Sequence, residues 1–251
     1  MLPVLPLGPV SLPVPGLLVI LGLALGSWWA EKAAPRFGLS PKTVSDVIFY
    51  SVLGGVVGAR LFMVLRAPEA FRASPLSIVS LNPALLDPIG GVLTGLAVAG
   101  WLASRWGIPW PRLADALVPF FAVMQVALAL RAAARGDMFG LPTDAPWGVL
   151  LWGAVRHPTQ LYWAAGALLI LLWVAHNLRQ GAARPWPPGG LFWRFVAWSA
   201  AWYVFVAGFR GDSPVSSAGW RLDQVAGVLV LAVALFQWRR GDVHAQTLRG
   251  G

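Results

Sequence analysis

Long apolar blocks alternate with short polar segments along this chain. About seven of the blocks approach the ~20 residues that an α-helix needs to cross the hydrocarbon core of a bilayer. Because backbone groups in lipid must bond to each other, and because the alternation of a barrel strand is missing, the blocks are predicted to be helices. The predicted spans are residues 12–30, 46–65, 89–103, 115–130, 158–176, 191–209 and 222–238.

The longest break between strongly apolar blocks runs from residue 131 to residue 157. Most of the candidate polar chemistry lies in it or just beyond it. The predicted architecture is therefore an all-α integral membrane protein. It is a single transmembrane domain, residues 1–251, built as a bundle of about seven transmembrane helices with a small outer-face loop region at 131–157.

The composition supports the membrane class and excludes several kinds of site. Of 251 residues, 57% are hydrophobic and 12% are charged, against about 45–50% and about 25% in soluble domains. Cysteine is absent, which excludes a disulfide framework, a thiol nucleophile and a thiolate metal site. No metal-ligand spacing or phosphate-binding glycine loop is present, so neither a metal nor a cofactor is predicted.

The net charge of +9 does not indicate a nucleic acid partner, because the basic residues lie between apolar blocks and mark membrane topology. Segments after spans one, three, five and seven are assigned to the cytoplasm, with the N-terminus outside and the C-terminus inside. The cytoplasmic set comprises Lys32, Arg36, Lys42, Arg105, Arg112, Arg179, Arg184, Arg239, Arg240 and Arg249, and the opposite set comprises Arg66, Arg72, Arg131, Arg135, Arg156, Arg210 and Arg221.

Arg60 lies deep in the second block, where an unpaired charge costs about 2.5–3.5 kcal/mol even on lenient scales. Its side chain is expected to face the bundle. Two readings are equally weighted: a structural ion pair, with Asp46 or Asp87, or a contact with a bound anion.

Four arginines fall at the outer ends of helices in this topology: Arg131, Arg135, Arg156 and Arg210. A guanidinium binds phosphate through two parallel hydrogen bonds, so the four together favour a phospholipid headgroup site. For any one of them, simple interfacial snorkelling is the commoner explanation. Asp137 lies close to two of them and is either a general base or a loop salt bridge. His157 is either a titrating group or a helix-start hydrogen-bonding residue.

Several segments resemble the prolipoprotein diacylglyceryl transferase family. RHPTQLY, residues 156–162, resembles the family's HPSQLYE signature, and GDMFGLPTDAPWGV, residues 136–149, resembles its GELWGRPTDLPWGV-like segment. LGGVVGARLFMVL at 53–65, IGG at 89–91 and ADALVP at 114–119 are similar to further family segments and follow the same order.

The resemblance implies transfer of the diacylglyceryl group of phosphatidylglycerol to a lipobox cysteine thiol, in lipoprotein biosynthesis at the bacterial inner membrane. The implied partners are phosphatidylglycerol, a preprolipoprotein signal peptide with its lipobox cysteine, and membrane lipid. Arg131 or Arg135, with Arg60 and Arg210, would hold the phosphate, and Asp137 stands where the family has glutamate. The implied catalytic residues are Asp137, Arg131 and Arg210, and the implied substrate-binding residues are Arg60, Arg135, Gly140, Arg156, His157, Gln160, Tyr162, Gly90 and Gly91.

The chain departs from the family at four polar positions, where it has Pro15, Ile89, Ala132 and Trp163. These departures keep open a family member that binds phospholipid or lipoprotein without transfer. A small transporter is a third reading. It would need paired ionisable groups near the middle of the membrane, where only Arg60 clearly lies.

Overall fold

The computed structural model of the protein describes residues 4–7, 10–80, 82, 85–180 and 186–250, with residues 4–7, 10–12, 244–246 and 248–250 described as backbone only. These residues form a bundle of α-helices with two short hairpins. The hairpins are β1 Val4–Leu7 with β2 Val10–Pro13, and β3 Val149–Leu151 with β4 Ala154–Arg156. The helices are α1 Val14–Ala33, α2 Pro41–Arg66, α3 Pro68–Ala73, α4 Pro88–Arg105, α5 Trp110–Arg135, α6 Thr159–Gln180, α7 Gly190–Ala207 and α8 Leu222–Gly250.

The prediction of an all-α integral membrane protein is confirmed, with six candidate spans by length and composition where about seven were predicted. Within the described residues six helices, α1, α2, α5, α6, α7 and α8, are long and apolar enough to cross a membrane. The predicted third span, 89–103, does form a helix, α4. It has 18 residues and ends in one charged residue, Arg105, and it is not among the six candidate spans.

The predicted outer loop begins later than expected. Residues 131–135 continue helix α5, so Arg131 and Arg135 lie on its last turns and not in the loop. The sequence RAAAR explains the error, because alanine and arginine are strong helix formers. Gly136 then ends the helix in the left-handed conformation, with φ 74°, as glycine commonly does at this position.

Helices α2 and α4 pack in antiparallel contact through small residues. A Cβ added at Gly55 would lie 3.0 Å from the carbonyl oxygen of Gly91, and one added at Gly95 would lie 3.1 Å from that of Ser51. This spacing of small residues every four positions lets two membrane helices approach closely. Gly90 and Gly91, predicted to bind substrate, lie in this helix contact.

Helix α5 lies at the centre of the bundle and contributes buried residues to both apolar clusters. The side chain of Asp115, on α5, forms hydrogen bonds with the beginning of another helix, α7. The two carboxylate oxygens accept hydrogen bonds from the backbone N–H groups of Gly189, at 2.7 Å, and Phe192, at 2.8 Å. Asp115 therefore satisfies otherwise unpaired donors at the start of α7, and ties that helix end to the beginning of α5.

Candidate functional site

The first turn of α6 holds the segment that follows α5. The Thr159 hydroxyl donates to the carbonyl oxygen of Met138, and Gln160 Nε2 donates to that of Asp137 at 2.7 Å. Both side chains are buried, with 1% and 5% of their surface exposed. Met138 has a φ of 54°, which is uncommon for a residue other than glycine. The two side chains thus bind the carbonyls on either side of this sharp turn.

The β3–β4 hairpin folds back onto the end of α5. Its two-residue turn, Trp152–Gly153, has positive φ at both positions, 53° and 77°, as a type I′ turn requires. Tryptophan is unusual in such a turn, but its indole Nε1 donates to the carbonyl oxygen of Gly136 at 3.2 Å. That contact with the C-terminus of α5 fixes the position of the hairpin.

Arg156, at the end of β4, directs its guanidinium inward. Nε donates to the carbonyl oxygen of Leu151 at 3.1 Å and Nη1 to that of Gly140 at 3.2 Å. The guanidinium carbon also lies 5.1 Å from the centre of the Phe139 ring. These contacts give Arg156 a role in holding the hairpin, and its predicted role in substrate binding stays a prediction.

Gly140 lies where three chain segments meet. Leu141 N–H donates to the Phe209 carbonyl, and Gly211 N–H donates to the Phe139 carbonyl, each at 2.8 Å. On the other side, a Cβ at Gly140 would collide with the carbonyl oxygen of His157 and lie 2.7 Å from its Cβ. A side chain at this position would push apart the two sequence segments that most resemble the family.

His157 belongs to an aromatic cluster. Its Nδ1 lies 3.2 Å from the hydroxyl oxygen of Tyr162, which also accepts a hydrogen bond from Trp147 Nε1 at 2.7 Å. The Phe209 ring lies 5.2 Å from the His157 ring and 5.9 Å from the Tyr162 ring. The imidazole is therefore oriented by the hydroxyl of Tyr162, one turn into α6.

Arg210 forms the most buried charged group of this region, with 11% of its side chain exposed. Nε pairs with Asp212 at 2.9 Å, and Nη1 donates to Asp223 at 3.0 Å and to the Tyr203 hydroxyl at 3.1 Å. Burial disfavours its charged form, but the hydrogen bond and charge of Asp212 outweigh burial and raise the pKa of Arg210 above its ordinary value. Arg210 therefore remains a fixed positive charge.

Arg135 and Asp137 form an ion pair, Nε to Oδ2 at 3.0 Å, with about half of each side chain exposed. Arg131 makes no hydrogen bond or ion pair with any residue that the structure describes. Nearby, a cavity of about 160 Å³ is lined by Gly136, Arg156, His157, Gln160 and neighbouring apolar residues. The four arginines predicted to lie at outer helix ends thus differ: Arg156 and Arg210 bind internal acceptors, and Arg131 has no partner among the described residues.

Arg60 lies apart from the four other arginines, beside the contact between α2 and α4. The expected ion pair with Asp46 or Asp87 does not form. Asp46 pairs with Lys42 at 2.6 Å and Asp87 with Arg66 at 2.5 Å, because those partners lie next to the carboxylates. Arg60 Nη2 instead donates to the carbonyl oxygens of Ser80 and Asn82. Its Nη1 is buried without a hydrogen-bond partner in the described part of the chain.

Sequence reasoning missed several residues that build the site. Tyr203, Asp212 and Asp223 surround Arg210, and Thr159 anchors the turn at Met138. One signal was available for the acids, since each lies close to an arginine in the segments RGDSP and RLDQ. No local pattern marks Tyr203, which lies inside an apolar helix.

Comparison with known proteins gives a consistent result. The family model for prolipoprotein diacylglyceryl transferase matches residues 3–239. A phosphatidylglycerol–prolipoprotein diacylglyceryl transferase of Solidesulfovibrio magneticus is 35% identical over 191 residues, which cover 70% of this chain and 71% of the relative. The protein of that name from Geobacter sulfurreducens is 33% identical over 204 residues, covering 78% and 76%. That from Cupriavidus pinatubonensis is 28% identical over 247 residues, covering 92% and 83%.

Proposed function

Because the chain belongs to the prolipoprotein diacylglyceryl transferase family, we propose that it transfers the diacylglyceryl group of phosphatidylglycerol to the lipobox cysteine thiol of a preprolipoprotein. The bond between the glyceryl carbon and the phosphate oxygen breaks, a carbon–sulfur bond forms, and glycerol phosphate leaves. One observation carries the proposal. The two segments that most resemble the family, residues 136–149 and 156–162, close on each other through Thr159, Gln160 and Gly140.

The leaving group requires positive charge, since negative charge grows on the phosphate as the carbon–oxygen bond breaks. Arg131 is proposed to contact the phosphate directly, because its guanidinium has no partner within the described residues. Arg210 is proposed to act as a fixed charge, held by Asp212 and Asp223. Arg60, with its unpaired Nη1, is proposed to bind the anionic lipid on the α2–α4 side.

The attacking group is a cysteine thiol with an ordinary pKa of about 8.5, and it must lose its proton to react. We assign Asp137 as the base that accepts this proton. Its carboxylate is 42% exposed, and within the described residues it is paired at Oδ2 alone, with Arg135, so substrate can reach it. Gln160 holds the backbone carbonyl of the same residue and thereby positions the carboxylate.

The transfer is tested in cells depleted of their own transferase, by following lipid attachment to a lipobox reporter. The chain is expected to restore attachment, and Asp137→Asn is expected to lose it while the protein accumulates normally. Absence of attachment by well-folded wild-type protein would instead support a lipid-binding family member without transfer, the alternative that Pro15, Ile89 and Ala132 favour.

The chain is a multi-span membrane protein of its family, and we propose that its N-terminus lies outside and its C-terminus in the cytoplasm. Helix α4 packs antiparallel along α2 and is proposed as the third crossing, which makes the number of crossings odd. The excess of Lys and Arg after the first, third, fifth and seventh predicted spans supports this orientation, although Arg184 lies outside the described residues. The absence of cysteine permits a direct test by thiol labelling in intact cells. Ser217→Cys should react with a membrane-impermeant reagent and Ser104→Cys should not, and the reverse pattern would overturn the orientation.

A further inference from the structure

A second cavity lies at the other end of the bundle, where α5 and α7 begin and the last turns of α8 pass by. This cavity, the distal groove, has a volume of about 820 Å³, within the range of pockets that hold small ligands. Its walls combine three tryptophans, Trp110, Trp193 and Trp238, with Arg239 and Arg240. Tryptophan and arginine together are typical of the boundary between lipid and water.

The positive charge of the distal groove is not balanced by any ion pair among the described residues. Arg239 and Arg240 are exposed and form no ion pair with the described residues. The two nearby carboxylates are already engaged. Asp242 binds Arg194 at 2.6 Å and Trp238 Nε1 at 2.7 Å, and Asp115 accepts the backbone N–H groups at the start of α7.

The groove is held in shape by a buried contact between α7 and α8. The Arg194 side chain is only 7% exposed, and its guanidinium lies 3.9 Å from the ring centre of Trp186 and 4.8 Å from that of Trp238. Arg194 Nη1 also donates to the Gly190 carbonyl at 3.0 Å. These contacts fix the last turns of α8 against α7 and present Arg239 and Arg240 beside the two groove tryptophans of α5 and α7.

The distal groove is far from the candidate functional site. Helix α5 begins at Trp110, ends at Arg135 and has 26 residues, which corresponds to about 39 Å at 1.5 Å per residue. That length exceeds the ~30 Å hydrocarbon core of a bilayer, so the groove and the site face opposite leaflets. A lipid bound in the groove is therefore not the lipid that reacts at the site.

We propose that the distal groove binds an anionic phospholipid of the leaflet opposite the site. The guanidinium groups of Arg239 and Arg240 bind the headgroup phosphate, and the apolar walls, including Phe236 and Val243, contact the glyceryl region and the upper acyl chains. The topology rule for basic residues explains the sign of the charge at this end of the bundle. It does not explain why two arginines line a cavity with three tryptophans.

The test measures lipid binding to the purified full-length protein in neutral detergent by native mass spectrometry. Phosphatidylserine is the anionic probe, phosphatidylcholine is the zwitterionic control, and inorganic phosphate is added in a third arm. The variant is Arg239→Gln/Arg240→Gln, and the matched control is Arg36→Gln/Arg105→Gln, which removes the same charge from the same end of the bundle outside the groove. A second variant, Val243→Glu, places a negative charge at an exposed position of the groove wall.

The wild type is expected to retain phosphatidylserine over phosphatidylcholine. The Arg239/Arg240 variant should bind it more weakly by about tenfold or more, because hydrogen bonds from both guanidinium groups to the charged phosphate are lost. Val243→Glu should weaken binding too, and the Arg36/Arg105 control should stay within about twofold. Equal loss in the control would overturn the proposal in favour of general surface charge. Displacement of the lipid by inorganic phosphate alone would overturn it in favour of a free-anion site.

Discussion

Replacing Gly140 by alanine tests the contact on which the candidate site depends. Gly140 does not have positive φ, so its requirement is space rather than backbone conformation. An added Cβ would meet three atoms of His157: the carbonyl oxygen, the Cβ at 2.7 Å and the carbonyl carbon at 2.9 Å. Backbone atoms cannot rotate away as a flexible side chain can, so the two segments must separate.

The size of the destabilisation follows from the packing and hydrogen bonds that are lost when the two segments separate. Overpacking of a tightly packed site costs about 1–3 kcal/mol, and each hydrogen bond between these segments contributes about 0.5–1.5 kcal/mol. One of them, from His157 N–H to the Leu141 carbonyl at 3.0 Å, lies directly at the point of collision. At roughly 2–4 °C per kcal/mol for a chain of this size, the apparent Tm in detergent should fall by about 3–18 °C.

The assay combines thermal unfolding in detergent with lipid attachment to the lipobox reporter. Gly140→Ala should lower both. Gly100→Ala is the matched control, because a Cβ there meets no atom within 4 Å and lies within helix α4, where alanine is preferred over glycine. A Gly140→Ala protein with unchanged Tm and unchanged attachment would refute the close approach of Gly140 to His157.

Three further predictions concern single side chains. Gln160→Leu leaves the Asp137 carbonyl without its 2.7 Å donor, so it should destabilise the protein by about 1–3 kcal/mol and reduce transfer; full activity would exclude a positioning role. Arg131→Ala should weaken phosphatidylglycerol binding while Arg249→Ala does not; equal effects would argue against a headgroup contact. The hydrogen bond from Gly90 N–H, and then that from Arg66, lower the pKa of Asp87. Its stabilising contribution is therefore present above about pH 4 and lost as the pH falls through the lowered value. Thermal unfolding between pH 3 and 7 should show this loss in the wild type and not in Asp87→Asn.

The sequence predicted the helices because bilayer thickness sets their length and the absence of water forces each apolar block to bond within itself. It also predicted the family, from segments such as residues 156–162. The difference between about seven predicted spans and six candidate spans lies at α4, an 18-residue helix that ends in Arg105. The error at residue 131 arose because a polar segment was assumed to be a loop, although its alanines and arginines favour helix.

Only the tertiary structure decided which side chains meet. Asp115 satisfies backbone donors 74 and 77 positions later in the chain, and Arg194 pairs with Asp242 across 48 positions. Arg60 lies in the apolar helix that the sequence predicted, but the two carboxylates expected to pair with it bind Lys42 and Arg66 instead. A sequence determines which residues can be buried and which backbone groups bond locally. The partner of a buried charge depends on which helix ends are brought together, and packing contacts spread over the whole bundle determine that.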